Sequence, residues 1–243
     1  MNKNLLKRIV LTSAIAVLGV STSFAALVME RDQSVDTAPS VGMYRFEVPV
    51  ELQGTYNSAG VANLTASMEK EPNTLSMNVA HVKGNPSESY VVEIYKDLAA
   101  IETHRKSDHY QAFVNEVGSK LTNRKMYDVQ SVLLFEKKDA LSIVNDGKAV
   151  VTLTEFTVDS NEIDTVQRQY QLDMERAVRD DVGYKAGYVL RERNAKNRWY
   201  IIQIYSNQEA LTKHLNSPGY RFMMSQIQGS LQGVTTKVLD GDI

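Results

Sequence analysis

The 243-residue chain contains no cysteine, which excludes disulfides, cysteine-linked lipids and cysteine metal ligands. It also lacks any cluster of Lys and Arg, and its formal net charge is −2, so a nucleic-acid partner is not expected. Tryptophan occurs once against twelve tyrosines, which favours pockets with polar tips over a purely apolar ligand barrel. The apolar run at residues 9–20 is shorter than the ~20 residues that span a bilayer, so stable membrane insertion is not expected.

The amino-terminal segment has the three parts of an export signal. Three basic residues precede the apolar run at residues 9–20, and small residues occupy positions −3 and −1 of a cleavage site after Ala25. We therefore predict a signal peptide at residues 1–25 and a periplasmic or secreted protein. Residues 26–40 mix charges with Ser, Thr and Pro without periodicity, which is typical of a flexible leader.

One stretch of the chain occurs twice. Residues 90–117 and 200–227 align without a gap at an offset of 110 residues. Such self-similarity sets the domain count, and it indicates two copies of one unit of about 100 residues each. Identical residues in the two copies are Tyr90/Tyr200, Ile94/Ile204, Tyr95/Tyr205, Ala100/Ala210, His104/His214, Ser107/Ser217 and Tyr110/Tyr220.

Each copy reads as a strand followed by an interrupted helix. Residues 90–95 are β-branched and aromatic apart from one glutamate, which predicts a strand. Asp97 and Asn207 then fit helix N-cap positions, where a short acceptor satisfies a free backbone N–H. Apolar residues follow at helical spacing, and a break is predicted near Ser107 and near Ser217, which precedes a proline.

The remaining segments complete two units of the order β-α-β-β-α-β, which is the ferredoxin-like α+β fold. A helix capped by Asn57 or Ser58 is expected in the first unit, and Pro49 suggests that the first strand lies at a sheet edge. The predicted strands cover residues 43–50, 75–82, 90–95, 126–136, 149–158, 184–190, 199–205 and 234–239. The predicted domains are residues 41–136 (repeat 1) and 148–243 (repeat 2), joined by a linker at 137–147.

Two motifs of repeat 1 resemble the signature of antibiotic biosynthesis monooxygenase domains. They are Glu-Ile-Tyr-Lys-Asp at 93–97, followed by Ala100, and His-Arg-Lys-Ser-Asp-His-Tyr at 104–110. The turn at 71–75 is similar to the one that enters the second strand in this family. The resemblance covers residues 43–136 and, less faithfully, 149–240. It implies two ferredoxin-like units that pair sheet to sheet as a dimeric-type α/β barrel, here within one chain, with a higher oligomer left open.

The resemblance also implies a function, although fold is a weak guide to chemistry. The first expectation is an exported, cofactor-independent monooxygenase that oxidises a small aromatic or quinol-like molecule with O₂. A second is a non-catalytic small-molecule binding or stress-related protein with the same barrel. A third is an isomerase of a small oxo compound. No cofactor is expected, and whether the chain is an enzyme is left open.

Three residues of repeat 1 are the predicted catalytic set. His104 is expected to accept a proton, since an imidazole titrates near neutrality. Glu93 is expected to orient or charge-stabilise His104 from the adjacent strand. Tyr95, on the same strand face as Glu93, is expected to donate to a developing oxyanion. The alternatives are a packed histidine at a helix–strand seam, a solvated carboxylate at the barrel rim and a core aromatic ring.

Further polar and aromatic side chains are predicted to bind the substrate: His109, Tyr110, Tyr205 and His214. Repeat 2 departs from the motif at three positions, because it has Gln203, Asn207 and Gly219 where repeat 1 has Glu93, Asp97 and His109. Glutamine can neither act as a base nor hold an imidazolium by charge. Repeat 1 is therefore expected to carry the chemistry, with repeat 2 mainly a structural partner.

No metal site is expected from the spacing of these residues. His104 and His109 are five apart on an interrupted helix and do not share a face cleanly, and no H-x-x-x-H motif is present. Haem degradation is not expected either. The haem-degrading branch of the family places its axial histidine further along this helix, near residues 113–114 and 223–224, where this chain has none.

Overall fold

The computed structural model describes residues 39–137 and 148–241. The predicted signal peptide, nearly all of the predicted leader and all but the first residue of the predicted linker lie outside these ranges. Within them, no helix has the length and apolar character needed to cross a membrane.

Repeat 1 contains five strands and three α-helices within the described residues. In chain order they are β1 Ser40–Glu47, α1 Gln53–Lys70, β2 Thr74–Val82, β3 Asn85–Tyr95, α2 Leu98–Lys106, α3 Asp108–Glu116, β4 Thr122–Tyr127 and β5 Val129–Glu136. Short 3₁₀ turns at Val50–Leu52 and Gly118–Lys120 precede α1 and β4.

Repeat 2 follows the same order. Its elements are β6 Val150–Val158, α4 Ile163–Asp180, β7 Tyr184–Glu192, β8 Arg198–Tyr205, α5 Gln208–Asn216, α6 Pro218–Ile227 and β9 Leu231–Gly241, with a 3₁₀ turn at Gln228–Ser230. Helix α4 lies 110 residues after α1 at both ends, so the offset seen in the sequence extends to the first helix of each unit.

All nine described strands belong to one sheet, in the order β4-β1-β3-β2-β9-β6-β8-β7-β5. The two repeats are joined in this sheet at two places, where β2 pairs with β9 and β5 pairs with β7, both antiparallel. Strands β4 and β5 stand at opposite ends of the order but are separated only by Asp128, so the sheet closes on itself. The predicted intrachain α/β barrel is thereby confirmed.

The barrel wall has two apolar faces, as alternation along a strand requires. The interior face carries a core shared by both repeats, with Val92 and Ile94 of β3 packed in the same cluster as Leu153 and Ile202 of repeat 2. The outer face of each half is covered by helices and has its own core. Tyr95 belongs to this outer face, in a cluster with residues of α1 and α2. The candidate site residue Tyr95 therefore lies between the sheet and the helices.

Three details differ from the sequence prediction. Strand β1 is not at an edge, because it pairs with both β3 and β4, and Pro49 lies after the strand, where it needs no ladder partner. Helix α1 begins at Gln53, since the 3₁₀ turn at Val50–Leu52 runs directly into it, and no side chain caps it. The predicted strand at 126–136 is divided at Asp128 because its two parts pair with different repeats.

Candidate functional site

The helix interruption in each repeat is built by two capping side chains. Asp97 Oδ1 accepts a hydrogen bond from Ala100 N at 2.9 Å and begins α2, as predicted. Ser107 ends α2 with extended backbone, and its Oγ accepts from Tyr110 N at 3.3 Å to begin α3. Asn207 and Ser217 form the same two caps in repeat 2. The chain therefore turns at one serine in each repeat, between the last turn of one helix and the first turn of the next.

This turn brings together two histidines that an unbroken helix would separate. His104 lies in the last turn of α2 and His109 in the first turn of α3, and their ring centroids are 5.8 Å apart. The interruption at Ser107 was one reason for expecting no metal site. In the folded chain it is what directs both rings to the same carboxylate.

That carboxylate is Glu71, the C-cap residue of α1. His104 Nδ1 lies 3.2 Å from both Glu71 oxygens, and His109 Nε2 lies 2.7 Å from Oε1. Thr74 Oγ1 donates to Oε2 at 2.6 Å and fixes the orientation of the carboxylate. His104 and Glu71 are both buried, whereas His109 is partly exposed. We call Glu71, His104 and His109 the Glu71 cluster.

The Glu71 carboxylate is the ionised partner in this cluster. Burial alone raises its pKa, but the hydrogen bond from Thr74 and the interactions with the two histidines outweigh burial, so the net pKa is lowered. The pKa of His104 is also lowered, because burial disfavours the imidazolium more strongly than Glu71 favours it. An ionised carboxylate only accepts hydrogen bonds, so a neutral His104 carries its proton on Nδ1.

The other nitrogen of His104 therefore bears a lone pair. His104 is 1 % exposed, and its Nε2 has no hydrogen-bond partner among the described residues. The ring packs edge to face on Tyr110, with centroids 4.8 Å apart, and lies 5.6 Å from the ring of Tyr95. A buried acceptor without a protein donor is uncommon, because it forfeits its hydrogen bond to water.

Glu93 lies on β3, on the predicted strand face, but its hydrogen-bond partner is Tyr95. Its Oε2 accepts the Tyr95 hydroxyl at 3.0 Å, and no hydrogen bond between Glu93 and His104 is found in the described part of the chain. The carboxylate that contacts the His104 imidazole is that of Glu71. Burial raises the pKa of Glu93 to about 7, opposed by the Tyr95 hydrogen bond and by Arg105. The Tyr95 proton is directed at Glu93, so this hydroxyl is not free to meet an oxyanion while that bond is made.

Repeat 2 keeps the histidine but changes its surroundings. His214 Nδ1 lies 2.9 Å from Asp181 Oδ2, and Asp181 stands 110 residues after Glu71. His214 Nε2 lies 3.4 Å from Asp173 Oδ2 and 3.4 Å from the amide nitrogen of Gln203. Both ring nitrogens of His214 thus face protein groups. The residue has no free position comparable to Nε2 of His104.

An arginine takes the place of the second histidine in repeat 2. Arg176 donates from Nη1 to Asp181 Oδ1 at 2.8 Å and from Nη2 to Asp173 Oδ1 at 3.0 Å. It also reaches the hydroxyl of Ser217, which caps α6. A permanent cation therefore neutralises two acidic side chains in repeat 2. Repeat 1 instead has two imidazoles beside a single carboxylate, that of Glu71.

The predicted substrate-binding residues fall into two separate groups. His109 and Tyr110 lie against His104 in repeat 1, and His109 also contacts Ser107 Oγ at 3.0 Å. Tyr205 and His214 lie together in repeat 2, with ring centroids 5.6 Å apart. Each outer site is thus formed within one repeat.

The sequence prediction missed the residues that define each site, above all Glu71, Asp173, Arg176 and Asp181. Glu71 was predicted only as part of the turn at 71–75, and Asp181 was not singled out. The 110-residue offset was a usable signal, since it aligns an acidic residue with an acidic residue directly after the first helix of each unit. No comparable signal marked Arg176, which aligns with Ala66.

Fold and sites together define a class of protein: a single-chain α/β barrel with two ferredoxin-like halves, each with a histidine–carboxylate site between sheet and helices. The family model described as antibiotic biosynthesis monooxygenase matches residues 41–116 and 149–225. The chain belongs to this family, in two tandem copies, as the sequence motifs predicted. No curated protein sequence matches it.

Solved structures agree with this fold. A candidate monooxygenase from Lactobacillus acidophilus superimposes with a TM-score of 0.77 at 19 % identity, over 85 % of this chain and 95 % of that one. A candidate monooxygenase from Fusobacterium nucleatum gives 0.72 at 21 % identity, over 86 % and 94 %. An anthrone oxidase-like protein gives 0.53 at 11 % identity, over 88 % and 94 %. At these identities the likeness establishes the fold alone.

Proposed function

We propose that repeat 1 is the active unit of a cofactor-independent monooxygenase that oxidises a small aromatic or quinol-like molecule with O₂. The observation that carries this proposal is the state of His104. Its Nδ1 is held by the ionised Glu71 carboxylate, and its buried Nε2 has no hydrogen-bond partner among the described residues. A neutral imidazole in this state is a general base directed at a substrate proton.

The reaction needs only a base, O₂ and a substrate with an acidic proton. His104 Nε2 takes a proton from an activated CH₂ group, and the resulting anion adds to O₂ to give a carbon-bound peroxide, which takes the proton back. Loss of water then breaks the O–O bond and the second C–H bond and leaves a carbonyl. One oxygen atom ends in the product and the other in water. The substrate supplies all four electrons, so no cofactor is required.

The surroundings of His104 suit an aromatic substrate. The rings of Tyr110 and Tyr95 lie beside the imidazole. An aromatic substrate next to them would gain ring–ring attraction in addition to that from apolar burial. Glu93, with its pKa raised to about 7, exchanges protons near neutrality and serves as a second proton carrier. Repeat 2 keeps aromatic rings beside its histidine, since Tyr205 and Tyr220 flank His214. It differs in its polar groups, because Gln203 stands at the position of Glu93 and both nitrogens of His214 face protein groups.

The test is O₂ consumption by the purified protein with a panel of quinols, phenols and compounds with an activated CH₂ group. Turnover of one class, with one ¹⁸O atom from ¹⁸O₂ incorporated into the product in place of two hydrogen atoms, is the expected result. Co-purification of a ligand without O₂ uptake would instead identify a binding protein. Conversion of a small oxo compound without change in mass would identify an isomerase.

We further propose that the protein acts outside the cytoplasm, on the basis of the amino-terminal charge and apolar pattern at residues 1–25. The expected mature terminus is Ala26. Mass spectrometry of the protein from its native host measures this directly, and an intact Met1 terminus in a cytoplasmic pool would refute export.

A further inference from the structure

The Glu71 cluster has the donor set of a metal site. Glu71, His104 and His109 each offer one ligand atom, and these atoms lie within 4.8 Å of one another. They form the one such group of three His, Cys, Asp or Glu side chains found in residues 39–137 and 148–241. Two imidazole nitrogens and one carboxylate oxygen are a donor set that Zn²⁺ and neighbouring divalent transition metals accept, with further positions open to water.

Repeat 2 shows what the same location looks like when a fixed cation occupies it. There the guanidinium of Arg176 lies between the carboxylates of Asp173 and Asp181, with contacts of 3.0 and 2.8 Å. The position aligned with Arg176 in repeat 1 is Ala66, which has no charge to offer. The described ion-pair partners of Glu71 are the two histidines, neither of which is a permanent cation.

Geometry supports a preformed site. The ring nitrogens that face Glu71 are Nδ1 of His104 and Nε2 of His109, both within 3.2 Å of the same Oε1. Thr74 Oγ1 holds the other oxygen at 2.6 Å, and such support from a neighbour orients a carboxylate ligand. Partial exposure of His109 gives an ion a route from solvent, while His104 and Glu71 are buried.

We propose that Glu71, His104 and His109 bind one divalent transition metal ion, such as Zn²⁺, and that repeat 2 binds none. The ion displaces the proton on Nδ1 of His104 and bonds to that nitrogen. It replaces in repeat 1 the positive charge that Arg176 supplies in repeat 2.

Metal binding has a consequence for chemistry, and this consequence alone rests on the proposed function. A neutral imidazole with metal on Nδ1 carries its proton on Nε2, so that nitrogen becomes a donor and cannot accept a substrate proton. Zn²⁺ therefore inhibits the base role of His104. Base and metal ligand are alternative states of one side chain.

The test uses the tag-free, full-length protein after treatment with a chelator. Zn²⁺ binding is measured by titration calorimetry, and Co²⁺ binding by its visible absorption, which reports nitrogen and oxygen ligands without reference to activity. One ion per chain is expected. Glu71→Gln and His109→Gly should abolish saturable binding, while Thr74→Val should weaken it by about 10-fold, as loss of a supporting contact does.

The other two of the four histidines are matched controls. His81→Ala and His214→Ala should each retain one ion with unchanged affinity, because neither belongs to the Glu71 cluster. A variant that copies repeat 2, Ala66→Arg with His109→Gly, keeps a positive charge near Glu71 and should fold without binding metal. Circular dichroism establishes folding for every variant before titration.

Three results would overturn the metal site: no saturable binding by the wild type, binding that His109→Gly leaves intact, or binding retained by the folded Ala66→Arg/His109→Gly variant. The proposed role of His104 as the base fails separately. If Zn²⁺ binds at the Glu71 cluster while turnover of an oxidisable substrate continues unchanged, the metal site stands and His104 is not the base.

Discussion

The Arg176 side chain packs directly against Gly219, in space that a side chain at position 219 would fill. A Cβ atom on Gly219 would lie 2.7 Å from Cδ of Arg176 and closer still to Nε, so the missing side chain is what gives the arginine its place beside Asp173 and Asp181. Repeat 1 has His109 and Ala66 at the two aligned positions. Repeat 1 therefore has a histidine facing one carboxylate, whereas repeat 2 has an arginine facing two carboxylates.

Gly219→Ala should consequently destabilise the protein by ~1–3 kcal/mol, because the new methyl group forces the guanidinium away from its partners. The measurement is urea-induced unfolding at neutral pH. Gly229→Ala is the matched control, since no atom lies within 4 Å of a Cβ at that position, and it should change stability by less than about 0.5 kcal/mol. Equal effects of the two substitutions would contradict the packing of Arg176 against Gly219.

Arg176→Ala should cost ~2–3 kcal/mol by leaving two acidic side chains without their cation. The estimate lies at the low end for buried pairs because Arg176 and Asp181 retain some exposure. In the Arg176→Ala background, Gly219→Ala should cost much less than in the wild type. Additive effects in this double-mutant cycle would show that the two residues do not interact.

Sequence patterns were sufficient for most of the fold, for reasons visible in single residues. Asp97, Asn207, Ser107 and Ser217 are local caps, and local hydrogen bonds can be read from neighbouring residues. The 110-residue offset predicted the two units. Each unit has an apolar sheet face that must be buried, so the two units were expected to pack against each other. The edge position predicted from Pro49 was wrong, because the strand ends before this residue.

The sites were predicted only in part because they depend on contacts between distant segments. His104 and Tyr95 were named from their own repeat motif, but Glu71 meets His104 across 33 residues, between the ends of two helices. Alternation along β3 put Glu93 on the same face as Tyr95, and these two do bond to each other. No periodicity reveals which of two carboxylates reaches an imidazole.

The raised pKa of Glu93 makes a prediction about stability and pH. Its folded-state pKa of about 7 exceeds the usual 4.5, so the folded protein retains a proton that the unfolded chain has lost. Folding is then opposed increasingly as pH rises from 4.5 to 7, and the penalty is fully present above 7. Relative to Glu93→Gln, the wild type should lose on the order of 1–3 kcal/mol across this window.

Urea titrations of both proteins at several pH values measure this difference. Glu209→Gln is the control, because the pKa of this exposed carboxyl is lowered by Lys213 and its titration falls below the window. A constant difference in unfolding free energy between wild type and Glu93→Gln from pH 4.5 to 7.5 would contradict a carboxyl that stays protonated to near neutrality.

Glu71→Gln should affect the pH profile as well as the rate. The Glu71 charge raises the pKa of His104 against the larger opposing effect of burial, so its removal lowers that pKa further. The acid limb of kcat/KM should move to lower pH, and kcat should fall by about 100-fold as the imidazole loses its orienting acceptor. A purely structural role for Glu71 would lower the amount of folded enzyme and leave the limb in place.

The central claim is that repeat 1 alone carries the chemistry, and paired histidine substitutions test it most directly. With a substrate that the wild type oxidises, O₂ uptake is measured for His104→Ala and His214→Ala after folding of each is verified. His104→Ala should lose ~10²–10⁴-fold in kcat, the usual contribution of a positioned general base, while His214→Ala should stay near the wild-type rate. Equal losses in the two variants, or no loss in His104→Ala, would contradict the account.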